Sequence, residues 1–129
     1  MTYLLDTQIV IWALEDNSQL PKAIREIIDN PNHDISITIV NLWEIAIKRS
    51  IRKLKLNCRL NDIQDQLTHK QVDTLPITVK HLMTVETLNF VGKHRDPFDR
   101  LIISQAIVED LTLISSDPHF RNYPVKILW

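Results

Sequence analysis

The stretch TYLLDTQIVIWALED, residues 2–16, carries the reading of the fold. Its first part, TYLLD, is a short apolar run that stops at an acid, Asp6, and QIVIWALED (8–16) follows with helix-length apolar content. The pair reads as a strand running directly into a helix. Working outward, LPKAIREIIDNP (20–31) has Pro21 near a helix start and Ile24, Ile27 and Ile28 at three- and four-residue spacing, an amphipathic helix ended before Pro31. DISIT (34–38) alternates and is β-branched, a second strand that leads into a helix through VNLWEIAIKRSI. Residues 60–70 and 78–89 read as two further helices around a short strand at Thr74 to Pro76. Pro97 to about Asp110 is another helix, followed by a strand LTLIS (111–115), a turn or short helix at DPHFRNY and a last strand VKILW (125–129). Strands alternating with helices predict an α/β domain, single over residues 1–129, with a central, mostly parallel sheet covered on both faces.

Composition narrows the function classes. With 129 residues, 44% of them hydrophobic, the chain can form one domain with a real core. Its 15 Lys and Arg nearly balance its 16 Asp and Glu, so no global field commits it to nucleic acid or to a membrane surface. The lone Cys58 has no internal disulfide partner, and the five histidines lack zinc-site spacing, which fits a reducing cytosol. The apolar run IVIWAL (9–14) is far short of a bilayer span, and the start of the sequence has no basic-then-apolar signal pattern, so a soluble, unprocessed chain is expected. Gly92 is the single glycine, which excludes phosphate-cradling loops and dinucleotide turns. Phosphate chemistry would therefore rest on carboxylates, metals or cationic side chains.

In open parallel sheets the functional crevice lies beyond the carboxyl ends of the strands. Asp6 closes the first strand and Asp117 follows the strand at 111–115, so one crevice would collect both. Glu44 lies early in the helix after the second strand, and Asp99 lies in the first turn of the helix opened by Asp96-Pro97, each on a partly apolar face. A carboxylate facing a core is costly unless paired or bound to a cation, and gathered carboxylates repel. Four converging acids imply a divalent oxygen-loving metal, magnesium or manganese, and with it hydrolysis of a phosphodiester. Each acid also has a plain structural role open to it: Asp6 and Thr7 as a helix cap, Glu44 as an i+4 partner of Lys48, Asp96 and Asp117 as N-caps before proline, and Asp99 as a partner of the helix dipole.

Taken together, these residues resemble the PIN-domain ribonucleases, in particular the VapC toxins of bacterial toxin–antitoxin pairs. YLLDTQIVIWALED is similar to the family's opening, SITIVNLWEIAIK to its second acidic motif, HRDPFDRLIISQA to a variant of its third, and LTLISSDPHF to its fourth, over essentially the whole chain. The resemblance implies a PIN-like α/β/α sandwich and places Asp6, Glu44, Asp99 and Asp117 on the family's metal-binding acids. It implies supporting roles for Ser115 and Thr7, with Asp96 as a neighbour of the set rather than a ligand. It further implies a Mg2+- or Mn2+-dependent endoribonuclease acting as a growth-inhibiting cytoplasmic toxin, a cognate antitoxin and a homodimer. Gln8 stands where relatives of this variant often have His.

For RNA, KRSIRKLKLNCR (48–59) is a local basic patch that includes Lys48, Arg49 and Arg52, and Arg95 and Arg100 flank Asp99. A phosphate backbone could cross them; solvated charges on a helix end, or charges offsetting the acids, would look the same. Trp12 and Trp43 are compatible with contacts to an antitoxin or a second copy, but core packing is the expected role of such large aromatics. Two other readings stand beside the nuclease. One is a non-catalytic PIN-fold RNA-binding module or a phosphorylated receiver. The other is an aspartyl phosphatase of the haloacid dehalogenase type, against which Gln8 counts, since a second Asp usually stands two residues after that nucleophile.

Overall fold

β1 (Thr2–Leu5) shows how the sheet acquires two covered faces. Successive side chains of a strand point to opposite faces, and here Tyr3 and Leu5 enter one buried cluster while Leu4 enters another. The computed structural model describes residues 2–129, so the expected domain span of 1–129 begins one residue outside them. After β1 come α1 (Thr7–Glu15), α2 (Lys22–Asp29), β2 (Asp34–Thr38), α3 (Ile39–Ser50), α4 (Leu60–His69), β3 (Asp73–Leu75), α5 (Val79–Thr87), α6 (Pro97–Val108), β4 (Thr112–Ile114), a 3-10 turn (Pro118–Asn122) and β5 (Ile127–Leu128).

The sheet runs in the order β3-β2-β1-β4-β5, and each of its strand pairings among the described residues is parallel. β1 is central: Tyr3 lies opposite Ile35 of β2 and Thr112 of β4. One cluster, with Ile9 and Val10 of α1, Ile24 and Ile28 of α2 and Ile63 and Leu67 of α4, covers one face. The other, with Leu101, Ile102 and Ala106 of α6 and Leu113 of β4, covers the opposite face, where Val85 of α5 packs. The α/β sandwich expected from the sequence is the observed architecture.

Local chemistry places the helix starts. Thr38 opens α3 with a reciprocal cap: its hydroxyl accepts from Val40 N at 3.1 Å, and Asn41 Oδ1 accepts from Thr38 N at 2.8 Å. Asp96 opens α6, accepting from Asp99 N at 3.0 Å with Pro97 in the first turn. The expected third strand shifts back by one residue to end at Leu75, since Pro76 has no N–H to give a ladder. The final strand shortens to two residues after the Tyr123-Pro124 bend. The expectation for the tryptophans is corrected at Trp43, which is 45% exposed and rests edge-on against Phe98 at 4.6 Å. Trp12 is half-buried and tilts against Trp129. Among the described residues no helix is long and apolar enough to cross a membrane.

Candidate active site

Because β1 has neighbours reached by crossovers in opposite directions, the sheet's switch point lies beyond the carboxyl ends of β1 and β4. Asp6 leaves β1 there, Asp117 begins the 3-10 turn after β4, and α3 and α6 start at the same edge with Glu44 and Asp99 in their early turns. All four acids line one cavity of about 430 Å3, which Lys48 and Asp96 also border. The expected convergence of the acids on one crevice is what the fold produces.

Asp6 is 6% exposed. Thr7 N donates to its Oδ1 at 2.8 Å and the Ser115 hydroxyl to its Oδ2 at 2.9 Å. Burial nevertheless pushes its pKa up to about 7, with the charges of Asp99 and Glu44 adding to the effect and the two hydrogen bonds opposing it. The Ser115 hydroxyl also accepts from Asp117 N at 3.1 Å, so it ties the first and last acids together. Thr7 supports Asp6 through its backbone N–H. Its hydroxyl instead accepts from Asn41 Nδ2 at 2.9 Å, which fastens α1 to α3.

Glu44 is 4% exposed, and the expected i+4 pair exists, with Lys48 Nζ 2.6 Å from Oε2. Burial works against the Lys48 ammonium, but the bond and charge of Glu44, with Asp96 and Asp99 behind, raise its pKa overall. Glu44 Oε1 is buried with no hydrogen-bond partner. Asp99 is also pushed up to about 7, by burial first and then by Asp96, Glu44 and Asp117, against the pull of Lys48. Asp96 caps the helix that carries Asp99 and adds charge to its surroundings. Asp117 Oδ1 accepts from His119 N at 2.9 Å and lies 2.9 Å from His119 Nδ1. Asp6, Asp96 and Asp117 thus cap helix starts and Glu44 pairs with Lys48, while Asp6, Glu44, Asp99 and Asp117 all line the cavity.

Two residues at this edge carry structure that the sequence did not assign to them. His94 Nε2 lies 2.9 Å from Asp99 Oδ2 and its Nδ1 lies 2.7 Å from the Tyr123 hydroxyl. Its ring stacks on His119 with centroids 4.9 Å apart. Burial lowers the His94 pKa, helped by His119 and Arg100 and opposed by Asp117 and Asp96. In the sequence His94 stands only within the HRDPFDRLIISQA motif, and Tyr123, 24 residues beyond Asp99, has no local signal.

The cationic expectations divide. Arg52 is exposed, Arg49 is half-buried, and exposed Arg95 holds the carbonyls of Gly92 and His94 at 2.9 and 3.0 Å. Arg100 is the correction: it is 5% exposed, and its guanidinium donates to the carbonyls of Leu88 and Asn89 and to the Tyr123 hydroxyl. A phosphate cannot reach a group so enclosed. Its charge serves the interior instead.

The donor set fits a hard divalent cation. The side chains are oxygen-bearing acids, one oxygen is buried without a partner, and two carboxyls are held near neutrality by burial and mutual repulsion that a cation would relieve. As placed, no three His, Cys, Asp or Glu side chains among the described residues stand close enough together to hold one ion. Side-chain rotation within the cavity would have to complete the set.

Comparison with known proteins bears on the family and the fold. The family model described as PIN domain matches residues 3–126. No curated protein matches the chain by sequence. Among solved structures, the chain is similar to VapBC2 from Rickettsia felis bound to a DNA fragment from their promoter, with TM-score 0.71 and 21% identity over 99% of this chain and 98% of that one. It is similar to VapBC-1 from nontypeable Haemophilus influenzae, with TM-score 0.69 and 20% identity over 99% and 97%. It is also similar to DNA-bound VapBC from Salmonella typhimurium, with TM-score 0.69 and 16% identity over 99% and 97%. At these identities the likeness is one of fold.

Proposed function

The chain belongs to the PIN-domain family, and from that premise we propose that it is a divalent-metal-dependent endoribonuclease, the toxin of a toxin–antitoxin pair. The observation that carries the proposal is the cavity itself: Asp6, Glu44, Asp99 and Asp117 line it together, and Glu44 Oε1 is buried there without a partner. A buried carboxylate oxygen without a partner costs stability, and a bound cation would offset that cost.

In this reading Asp6, Glu44, Asp99 and Asp117 hold the ion. Magnesium or manganese, when bound, supplies the positive charge that activates water and offsets charge developing on a phosphodiester oxygen. Ser115 keeps the first and last acids in register, and Asp96 fixes the start of the helix that presents Asp99. Lys48 holds one oxygen of Glu44 at the cavity edge, where its ammonium faces an incoming phosphate. Arg49, Arg52 and Arg95 extend that positive edge for an RNA backbone, with a salt-sensitive affinity. The VapBC structures support a cognate antitoxin as partner. A homodimer in the reducing cytosol, where the single Cys58 stays a thiol, belongs to the same reading.

The test is cleavage of a structured RNA mixture by purified protein with magnesium, with manganese and with EDTA, beside Asp6→Asn prepared identically. Metal-dependent cuts that are absent from the variant are the expected result. RNA retained without cutting, in the presence of metal, would replace the nuclease with a binding-only PIN module.

A further inference from the structure

One contact of Asp99 leads away from the cavity, into a buried row of side chains. Arg100 Nη1 donates to the Tyr123 hydroxyl at 3.3 Å, Tyr123 meets His94 Nδ1 at 2.7 Å, and His94 Nε2 meets Asp99 Oδ2 at 2.9 Å. Arg100 and Tyr123 are buried, and the His94 side chain is 8% exposed. Water therefore has little access to the row. Its polarity follows from counting donors.

A guanidinium has five N–H donors, no acceptor, and keeps its charge in proteins. Arg100 is fixed by the carbonyls of Leu88 and Asn89, and its guanidinium lies 4.1 Å over the Phe90 ring, so it can only donate to Tyr123. The Tyr123 hydroxyl accepts from Arg100 and must place its own proton elsewhere. Among the described residues its one other hydrogen-bond partner is His94 Nδ1. With Nδ1 accepting, a neutral imidazole carries its proton on Nε2, which then donates to Asp99 Oδ2. With Asp99 ionised, as a metal ligand must be, the opposite tautomer would set a lone pair of His94 against a carboxylate oxygen.

The turn that brings His94 here is also specified. His94 N donates to Val91 O at 3.0 Å, and Gly92, at φ +53°, closes the turn in the left-handed region. Arg95 braces it through the Gly92 and His94 carbonyls.

We infer that Arg100, Tyr123 and His94 form a one-directional hydrogen-bond relay that fixes the Nε2–H tautomer of His94 and so positions Asp99, with Oδ2 held and Oδ1 left for the cation. This rests on the metal-dependent reading above and deepens it: His94 and Tyr123 are positioning residues, acting through Asp99. Groups that orient metal-ligating side chains change metal affinity about 10–100-fold when removed.

The experiment joins two readouts on wild type, Tyr123→Phe, His94→Gln and His94→Ala, with folding of each checked by circular dichroism. Imidazole 15N chemical shifts report the His94 tautomer, and calorimetric titration with Mn2+ reports binding without reference to cleavage. Wild type is expected to show the Nε2–H form. Tyr123→Phe keeps the ring but removes the hydroxyl, so it is expected to give a mixture of tautomers and a Mn2+ affinity about 10-fold weaker or more. His94→Gln, whose amide can still donate to Asp99, is expected to bind Mn2+ more tightly than His94→Ala. A wild-type Nδ1–H form, or a tautomer and Mn2+ affinity unchanged in Tyr123→Phe, would overturn the relay. If the tautomer responds as expected while wild type binds no Mn2+, the relay's polarity stands and its role in holding a cation falls with the metal-dependent reading. If Mn2+ binds with the expected pattern but RNA is never cut, the relay is upheld and the nuclease reading alone fails.

Discussion

Asp6 is a carboxyl almost sealed from water beside two other acids, with Ser115 and Thr7 as its two hydrogen-bond donors. Asp6→Asn keeps the volume and removes the charge. It is expected to abolish metal-dependent RNA cleavage while leaving the circular dichroism spectrum unchanged. In EDTA at pH 8 it should also gain stability, on the order of 1–3 kcal/mol, because an uncompensated buried charge is gone. Asp99→Asn should abolish cleavage in the same way, since Asp99 faces the same cavity. Unfolding of both variants would assign these acids to structure and sink the metal reading. At this scale the sequence was informative about residue type and poor about partners. It marked Asp6, Glu44, Asp99 and Asp117, whose placement after strand ends and in the first two turns of helices follows from local pattern. It did not reveal that Arg100 turns inward or that Tyr123 meets His94, because those contacts span 23 and 29 positions of chain.

Helix α6 shows how an element divides one motif among several tasks. Within HRDPFDR, Asp96 caps, Pro97 starts the helix, Asp99 faces the cavity and Arg100 faces the interior. Asp96→Asn should lose only a few tenths of a kcal/mol of stability, since Asn caps about as well, whereas Asp96→Ala should cost about 1 kcal/mol. Chemical unfolding of the two variants checks this. Cleavage by Asp96→Asn should fall much less than by Asp99→Asn; equal loss would make Asp96 a ligand in its own right. The turn before α6 offers a separate check. Gly92→Ala meets no neighbour within 4 Å yet requires a left-handed backbone, so it should destabilise by about 1 kcal/mol through strain alone. The element order was legible because strand and helix periodicities alternate cleanly from TYLLD onward. The precise ends were less so, as at Leu75, where the lack of an N–H on Pro76 closed the ladder one residue early.

For the molecule as a whole, the raised carboxyls link stability to pH. Asp6 and Asp99 titrate near 3.9 when unfolded and near 7 in the folded chain. Between those values the folded state retains protons that the unfolded state has shed, so these two groups make stability fall as pH rises from about 4 to about 7 and level off above. A divalent cation replaces the proton as the neutralising partner. Thermal unfolding from pH 4.5 to 8.5 should therefore show Mn2+ raising the midpoint more at pH 8 than at pH 5, and the difference between wild type and Asp6→Asn in EDTA should widen over the same interval. A Mn2+ effect independent of pH would contradict the linkage.

By itself the sequence determined the α/β class, the helix and strand order, the caps and the identity of the acids, since each depends on periodicity or on chemistry within a few residues. Only the tertiary structure decided which oxygens are held and which are left unpaired, that Trp43 lies at the surface, that Ser115 bridges two acids and that Arg100 serves Tyr123 rather than a phosphate. The physical reason is distance along the chain: a parallel sheet brings Asp6 and Ser115 together across 109 positions, and the desolvation that gives such a contact its meaning exists only once both faces of the sheet are covered.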